Sequence, residues 1–323
     1  MSAPAITRGD EPLPPDARGS VVTVGTFDGV HLGHRNVIAR LVARARETGL
    51  RSVLVTFEPH PLEVIEPTRA PLRLTTEEEK LAALAELPLD HVAVLPFTPE
   101  LRALSAREYV DRVLRDRYRM RELLIGHDHG FGRGREGNVE TLRALGAEEG
   151  FRVEQVEVVT APNGAVLSSS AVRAAVVAGD LPTATMLLGR PYRMLGRVVR
   201  GEQRGRSLGF RTINLETPPS KKLLPPEGVY AVRARTPDGT NGGMMNLGPR
   251  PTFGDERRTF EAHLFDVEGD WYGAPVELEY VRRLRDTRRF ESAEALVAQL
   301  RRDEQDARAV LAEPLWTIAA ESA

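Results

Sequence analysis

The sequence predicts an α/β protein with an added all-β part: a parallel sheet covered by helices, then a small antiparallel barrel closed by a C-terminal helix. Three observations predict it. Short β-branched runs alternate with helical periodicity from Val21 to about Val159. Around Asp180–Leu188 the pattern changes to short alternating runs separated by turn signals such as Pro237-Asp238-Gly239. Glu291-Ser292-Ala293-Glu294 then opens a helical pattern that reaches about Ala312. At 323 residues the chain exceeds the usual size of one domain, and the expected division is 19–183 and 184–315.

The elements are expected in this order. A tail runs to about Gly19, then a strand over Val21–Gly25 and a helix to about Thr48, with Val37, Ile38, Leu41, Val42 and Ala45 at helical spacing. Ser52–Phe57 is a second strand, Thr75-Thr76-Glu77-Glu78 opens a helix, and His91–Phe97 is a third strand. Ser105 with Glu108 forms a capping box for a helix to about Arg117; Glu122–His127, Thr141–Glu149 and Phe151–Val159 continue the alternation. Leu167-Ser168-Ser169-Ser170 opens a late helix. In the second part the strand candidates are Tyr192–Val199, Gly228–Arg235, Thr259–Phe265 and Val276–Val281.

The stretch Gly25-Thr26-Phe27-Asp28-Gly29-Val30-His31-Leu32-Gly33-His34 lies between the first strand and its helix. Glycine admits close backbone approach, and a helix start offers unpaired N–H groups and a positive dipole end, so the stretch reads as a nucleotide-phosphate site. His31 and His34 are placed to face one phosphate; the other readings are a surface turn or a pair of metal ligands. Asp28 reads either as a nucleotide contact or as the cap of the turn, and Phe27 as packing. Open parallel sheets bind ligands beyond the carboxyl ends of their strands. Phe57-Glu58-Pro59-His60-Pro61, Gly126-His127-Asp128-His129-Gly130-Phe131-Gly132 and the serine-opened helix are therefore expected to rim one cleft with the first loop.

Composition removes several classes. A formal net charge of −2 gives no overall basic balance of the kind that supports nucleic-acid binding. There is no cysteine, so disulfides and thiolate chemistry are excluded, and any metal must sit on oxygen or histidine ligands. No apolar run approaches the ~20 residues of a membrane helix, and the N-terminus lacks a signal core, so a soluble, cytoplasmic protein without a membrane partner is expected. Nothing in the sequence sets an oligomeric state. Lysine occurs only at 80, 221 and 222, which leaves phosphate binding to arginine and backbone amides.

Gly25–His34, Phe57–Pro61 and Leu167-Ser168-Ser169-Ser170-Ala171-Val172-Arg173 together resemble the adenylyltransferase half of the bacterial bifunctional riboflavin kinase/FMN adenylyltransferases. The second part is similar to the family's flavokinase module in order: Gly189-Arg190-Pro191-Tyr192, Gly196-Arg197-Val198, Gly205-Arg206-Ser207-Leu208-Gly209-Phe210, Thr212-Ile213-Asn214, Gly228-Val229-Tyr230, Asn246 to Phe253, and Glu261 to Asp266. The resemblance implies a Rossmann-like nucleotidyltransferase domain followed by a β-barrel kinase. It implies two reactions: ATP phosphorylates riboflavin to FMN, and the FMN phosphate attacks a second ATP to give FAD and pyrophosphate. Mg²⁺ is implied in both, with riboflavin, FMN and ATP as the partners.

By that resemblance His31 and His34 hydrogen-bond the ATP phosphates as pyrophosphate leaves, with Gly25, Phe27, Asp28, Gly33, Ser168 and Ser169 around them. Any one of the serines also reads as a plain N-cap. Arg173, one turn into its helix, reaches back to the triphosphate in the place that lysine holds in related nucleotidyltransferases. His60, Asp128 and Gly132 border the flavin, although His60 reads equally as a loop residue, and the family usually has Phe where this chain has His129. In the kinase module Thr212 and Asn214 are hard oxygen ligands for Mg²⁺ and the ATP phosphates. Gly205, Arg206 and Gly209 wrap phosphate or form a solvated loop. Glu261 is the base toward the riboflavin 5′-hydroxyl, or an exposed strand acid. The usual Gly-Phe-Pro-Thr-Ala-Asn is altered here: Arg211 replaces proline, which frees the loop's φ and adds a side chain able to hold phosphate, and Ile213 replaces alanine. Two rival readings follow, an adenylyltransferase whose kinase is impaired at Arg211 and a flavin- or nucleotide-binding regulator without turnover.

Overall fold

A computed structural model describes residues 3–14, 18–126, 130–157, 159–160, 164, 166–201, 209–249 and 258–314. Two compact units divide them. One holds the described residues through Leu72 with Lys80–Leu167; the other holds Arg73–Glu79 with the described residues from Ser168 onward.

The first unit contains β1 (Ala5–Arg8), β2 (Ser20–Val24), α1 (Leu32–Thr48), β3 (Arg51–Glu58), α2 (Pro61–Ile65), most of α3 (Glu77–Ala85), β4 (His91–Pro96) and α4 (Pro99–Ala103). It continues with α5 (Ala106–Tyr109), which runs into π-helical turns over Val110–Arg115, then β5 (Met120–Ile125), α6 (Val139–Glu149) and β6 (Arg152–Gln155). The six strands form one parallel sheet in the order β1-β4-β3-β2-β5-β6. Every residue of β2 is buried, and two apolar layers flank the sheet, one around Val22, Val53 and Leu123 and one around Val21, Leu54, Ile38 and Leu41. The chain steps from β2 outward through β3 to β4 and then returns to the opposite side of β2 for β5. The carboxyl ends of β2 and β5 thus meet where strand order reverses, the place where open α/β sheets form a crevice.

In the second unit α7 (Ser169–Ala178) and α8 (Leu181–Leu188) precede β7 (Tyr192–Val199), β8 (Ile213–Leu215), β9 (Gly228–Thr236), β10 (Gly239–Pro249), β11 (Arg258–Leu264), β12 (Pro275–Arg285) and α9 (Ala293–Ala312). The strands close an antiparallel barrel in the order β10-β11-β8-β7-β12-β9. α9 covers one side through Ala307 and Val310, and its Asp303 is fixed by Arg285 of β12 at 2.8 and 2.6 Å. Arg73–Glu79 is built into this unit. Arg73 exchanges backbone hydrogen bonds with Lys221 and Leu223, and the fully buried Lys222 ammonium donates to Glu79 at 2.6 Å, to the Leu74 carbonyl at 2.7 Å and to the Arg193 carbonyl at 2.9 Å.

The expected elements are present, joined by short helices α2, α4 and α8 that the sequence reading did not include and with further differences in the strands and in one helix. The N-terminal tail contains β1, an exposed edge strand whose only apolar signal is Ile6; its pairing with His91–Val94 of β4, joined by Thr7 Oγ1 to His91 Nε2 at 2.9 Å, makes it a strand. The strand expected over Phe151–Val159 runs only over Arg152–Gln155. The helix capped by Ser105 and Glu108 turns π-helical after Tyr109. β8 and β10 are additional strands, the first only three residues long and the second concealed by its glycines, since glycine weakens any strand pattern. Gly243 is required there: a Cβ would lie 2.6 Å from the His263 carbonyl oxygen on β11. The compact units divide at 167/168, ahead of the 183/184 boundary expected from the change of pattern around Asp180–Leu188, with α8 packed on β7 and β12.

Candidate active sites

The loop after β2 is shaped by backbone as much as by side chains. Phe27 (φ 49°), Gly29 (φ 83°) and Val30 (φ 44°) all take the left-handed conformation within four residues. For a β-branched residue such as Val30 this is a strained outlier, of the kind that gathers at functional sites. Val30 is wholly buried and Asp28 is 4% exposed, so packing holds the turn in place. His31 is the N-cap of α1, and its Nδ1 accepts from the His34 N–H at 3.4 Å. An accepting Nδ1 puts the ring proton on Nε2. The two imidazoles stack with centroids 3.7 Å apart, and Phe27 packs on His34 at 5.0 Å. Gly33 makes the approach possible: a Cβ there would lie 3.0 Å from the Leu167 carbonyl oxygen and 3.1 Å from the His31 ring. Gly25 similarly sits under Phe27, whose ring a Cβ would meet at 3.1 Å.

Lys80 is a residue of this region that motif reading passes over. The residue is 6% exposed, and its ammonium donates to the Phe57 carbonyl at 3.0 Å and to Thr56 Oγ1 at 3.3 Å; Thr56 Oγ1 in turn donates to the Thr26 carbonyl at 3.1 Å. The chain ties the first loop to the end of β3, where Glu58–Pro59 is a cis peptide. Its sequence signal is scarcity, because a lysine used so sparingly is placed for a purpose. His60 caps the short α2, its Nδ1 accepting from Leu62 N–H at 3.2 Å. Gly132 is dictated by backbone: its φ of 76° favours glycine, and a Cβ would fall 2.8 Å from the Ala106 nitrogen. Asp128, like Gly205 and Arg206, lies outside the described residues. Ser168 is the N-cap of α7, accepting from Ala171 N–H at 3.2 Å; Ser169 and the half-buried Arg173 follow on that helix, which belongs to the second unit.

In the barrel, register brings distant residues together. Asn214 of β8 stands directly opposite Glu261 of β11, and Glu261 stands opposite Asn246 of β10, so the three form one cross-strand row. Facing pairs of this kind have Cβ atoms about 4.5–5.5 Å apart. Phe260 and Ala262, which flank Glu261, point into the buried interior, which leaves the half-buried Glu261 on the outer face. Gly201 provides the room beside Asn214, since a Cβ there would lie 2.1 Å from Asn214 Nδ2. Thr212 is two residues before Asn214 and lines a cleft of about 420 Å³ with Gly209, Arg211, Asp266, Glu268 and Trp271. Gly209 has φ 83°, a conformation natural to glycine. Asp266 is held below the usual carboxylate range by its hydrogen bonds from Arg308, at 2.6 and 2.9 Å. Among the described residues no cluster of three or more His, Cys, Asp or Glu is arranged to hold a metal.

The geometry can be set beside known proteins. A family model for FAD synthetase matches residues 13–171, and one for riboflavin kinase matches 188–311. The bifunctional riboflavin kinase/FMN adenylyltransferase of Pseudomonas fluorescens is 40% identical over 308 residues, covering 95% of this chain and 98% of that protein. The Escherichia coli K12 protein of the same name is 38% identical over 291 residues, 90% of this chain and 92% of its own length. Among solved structures, one named as a macrolide-efflux protein from Streptococcus pneumoniae superposes with a TM-score of 0.83 at 28% identity, covering 94% of this chain and 98% of that one. No helix among the described residues of the present chain is long and apolar enough to cross a membrane. With both modules matched in order and both relatives aligned over nearly their whole length, the chain belongs to the family of bifunctional riboflavin kinase/FMN adenylyltransferases.

Proposed function

We propose that the two activities of the family, phosphorylation of riboflavin to FMN and adenylylation of FMN to FAD, reside here in residues 184–315 and 19–183 respectively, with the residue roles that follow. The observation that carries the kinase half is the intact Asn214–Glu261 pairing: Arg211, in the place of the family's proline, leaves β8 in register with β11. That favours two working activities over an adenylyltransferase with an impaired kinase.

In the kinase, Glu261 accepts the proton of the riboflavin 5′-hydroxyl as that oxygen attacks the γ-phosphorus of ATP and ADP departs. A glutamate carboxylate has the acceptor oxygens that this role needs. The residues present suit Mg²⁺. Thr212 and Asn214 offer hard oxygen donors two apart on an extended segment, and Gly201 leaves the space that the Asn214 carboxamide occupies. One or two protein ligands plus substrate phosphates is the usual manner of holding this ion. When bound, Mg²⁺ supplies charge neutralisation on the transferring phosphates. Gly205, Arg206 and Gly209 wrap the phosphates by backbone and guanidinium donors.

In the adenylyltransferase, the FMN phosphate oxygen attacks the α-phosphorus of ATP and pyrophosphate leaves. His31 and His34 donate to the departing phosphate oxygens from the start of α1, where Gly25, Asp28 and Gly33 shape the backbone and the helix dipole adds positive potential. Phe27 acts by supporting His34. Arg173 neutralises the triphosphate, with Ser168 and Ser169 at the start of its helix, and His60, Asp128 and Gly132 border the flavin. A cytoplasmic location fits the cysteine-free composition and the nature of these substrates.

The decisive experiment is a timed product analysis of the purified chain with riboflavin, ATP and Mg²⁺. FMN is expected first and FAD after it. FAD formed only from added FMN would mean an adenylyltransferase alone, and no turnover at all would mean a binding protein.

A further inference from the structure

Arg211, one of the two departures from the family's kinase motif, is anchored at two points. Its guanidinium Nη2 donates to the Gly269 carbonyl at 3.2 Å, and its own carbonyl accepts from His263 Nδ1 at 2.7 Å. Both partners are themselves held. His263 is wedged edge-on between Phe210 at 5.3 Å and Phe265 at 5.8 Å. Gly269 lies so close under Trp271 that a Cβ would meet its ring at 2.3 Å, and Trp271 Nε1 donates to Asp238 at 2.7 Å. Gly269, Trp271 and His263 line the same cleft as Arg211 and Thr212. Arg211 therefore bridges two walls of that cleft at the point where the chain enters Thr212–Asn214.

Proline at this place restrains the backbone by fixing φ through its ring. Arginine has no such restraint, but a guanidinium presents its donors in a rigid fork, so one hydrogen bond to a fixed carbonyl orients much of the side chain. We propose that Arg211 is a positioning residue of the kinase: beside the backbone bond to His263, its guanidinium bond to Gly269 pins the segment leading into Thr212 and Asn214 and supplies the order that a proline ring supplies elsewhere in the family. The proposal gives its guanidinium a structural duty, through the Gly269 carbonyl, in place of a duty as phosphate ligand. The proposal rests on Thr212 and Asn214 being the metal and phosphate ligands.

The test uses the full chain with Arg211→Ala, Arg211→Pro and Asn214→Ala, and thermal unfolding of the same preparations, beside their FMN adenylylation, checks that both units of each variant are folded. Amide hydrogen exchange of the 209–214 segment, measured without ligand, reports the pinning directly. Arg211→Ala is expected to raise exchange about tenfold and to raise the kinase KM for ATP about fivefold while kcat stays within about twofold. Arg211→Pro is expected to restore both to within about twofold of the parent. Parental exchange and KM in Arg211→Ala would overturn the proposal. So would equal losses in the alanine and proline variants with exchange unchanged, the behaviour of a phosphate ligand. Asn214→Ala separates the two levels: lost kinase activity there beside a silent Arg211→Ala overturns the Arg211 role alone, whereas full kinase activity there overturns the ligand assignment beneath it.

Discussion

The two candidate sites are built in opposite ways. In the parallel unit the residues sit beyond a strand end, and conformation does most of the positioning: three left-handed residues, a buried turn and the start of α1 bring His31 and His34 into a 3.7 Å stack. In the barrel the residues sit within strands and in ordinary extended backbone. Position there comes from hydrogen-bonding register, which sets Glu261 between Asn214 and Asn246. The contrast shows why the first site can be spelled by ten consecutive residues and the second cannot. A strand-end loop encloses its ligand locally, whereas a strand face needs neighbours delivered by other segments of the chain.

The sharpest way to break the contrast is to remove one functional group from each site. Glu261→Gln keeps the shape of the row but cannot take a proton, so FMN formation is expected to fall about a thousandfold or more while FMN-to-FAD conversion is kept. Parallel loss of both reactions would show that the two sites are not independent in the sense argued. Next in size, His34→Ala or His31→Ala is expected to slow adenylyl transfer about a hundredfold with kinase turnover unchanged. His31→Ala also removes the cap of α1, so it should lower thermal stability by about 1 kcal/mol where His34→Ala does not.

The stability of the units can be contrasted too. Lys222→Met leaves Glu79 buried without its ammonium and is expected to cost about 3–5 kcal/mol in urea unfolding, much of it recovered in the Lys222→Met/Glu79→Gln double variant. A double variant no better than the single one would mean that the carbonyl contacts of Lys222 dominate. The smallest effect lies in the parallel sheet. Burial, aided by Arg51, lowers the pKa of His91 from its ordinary value, so the folded chain binds fewer protons than the unfolded one. This contribution to stability is complete above the unfolded value near 6.5 and is lost as pH falls through that of the folded state. His91→Gln should therefore flatten the acid side of the stability profile; an unchanged acid limb would assign that limb to other groups.

Much of this was legible in residues. The Gly25–His34 loop reads as a phosphate site because glycines, histidines and a helix start stand together, and both modules could be ordered from their motifs. The row on the barrel was legible only as three separate stretches, since nothing in Thr212-Ile213-Asn214 states which strand will lie beside it. Lys80 and Lys222 stood out by rarity, yet rarity suggested nothing about burial. Both turned out to hold backbone carbonyls inside the protein. His60 and Gly132 were read toward the flavin, and the structure supplies each with a local duty as well, a helix cap and a close approach to Ala106.

The sequence alone determined the alternation that makes a parallel sheet, the turn-punctuated runs that make a barrel, and the family. These follow from local periodicity and from chemistry packed into short stretches. Tertiary structure decided the rest: that the exposed Ala5–Arg8 becomes an edge strand, that Arg73–Glu79 is built into the barrel unit, that Asn214 faces Glu261, and that Arg211 spans a cleft to Gly269. Each of these depends on pairing or burial between segments far apart in the chain, where no local pattern names the partner.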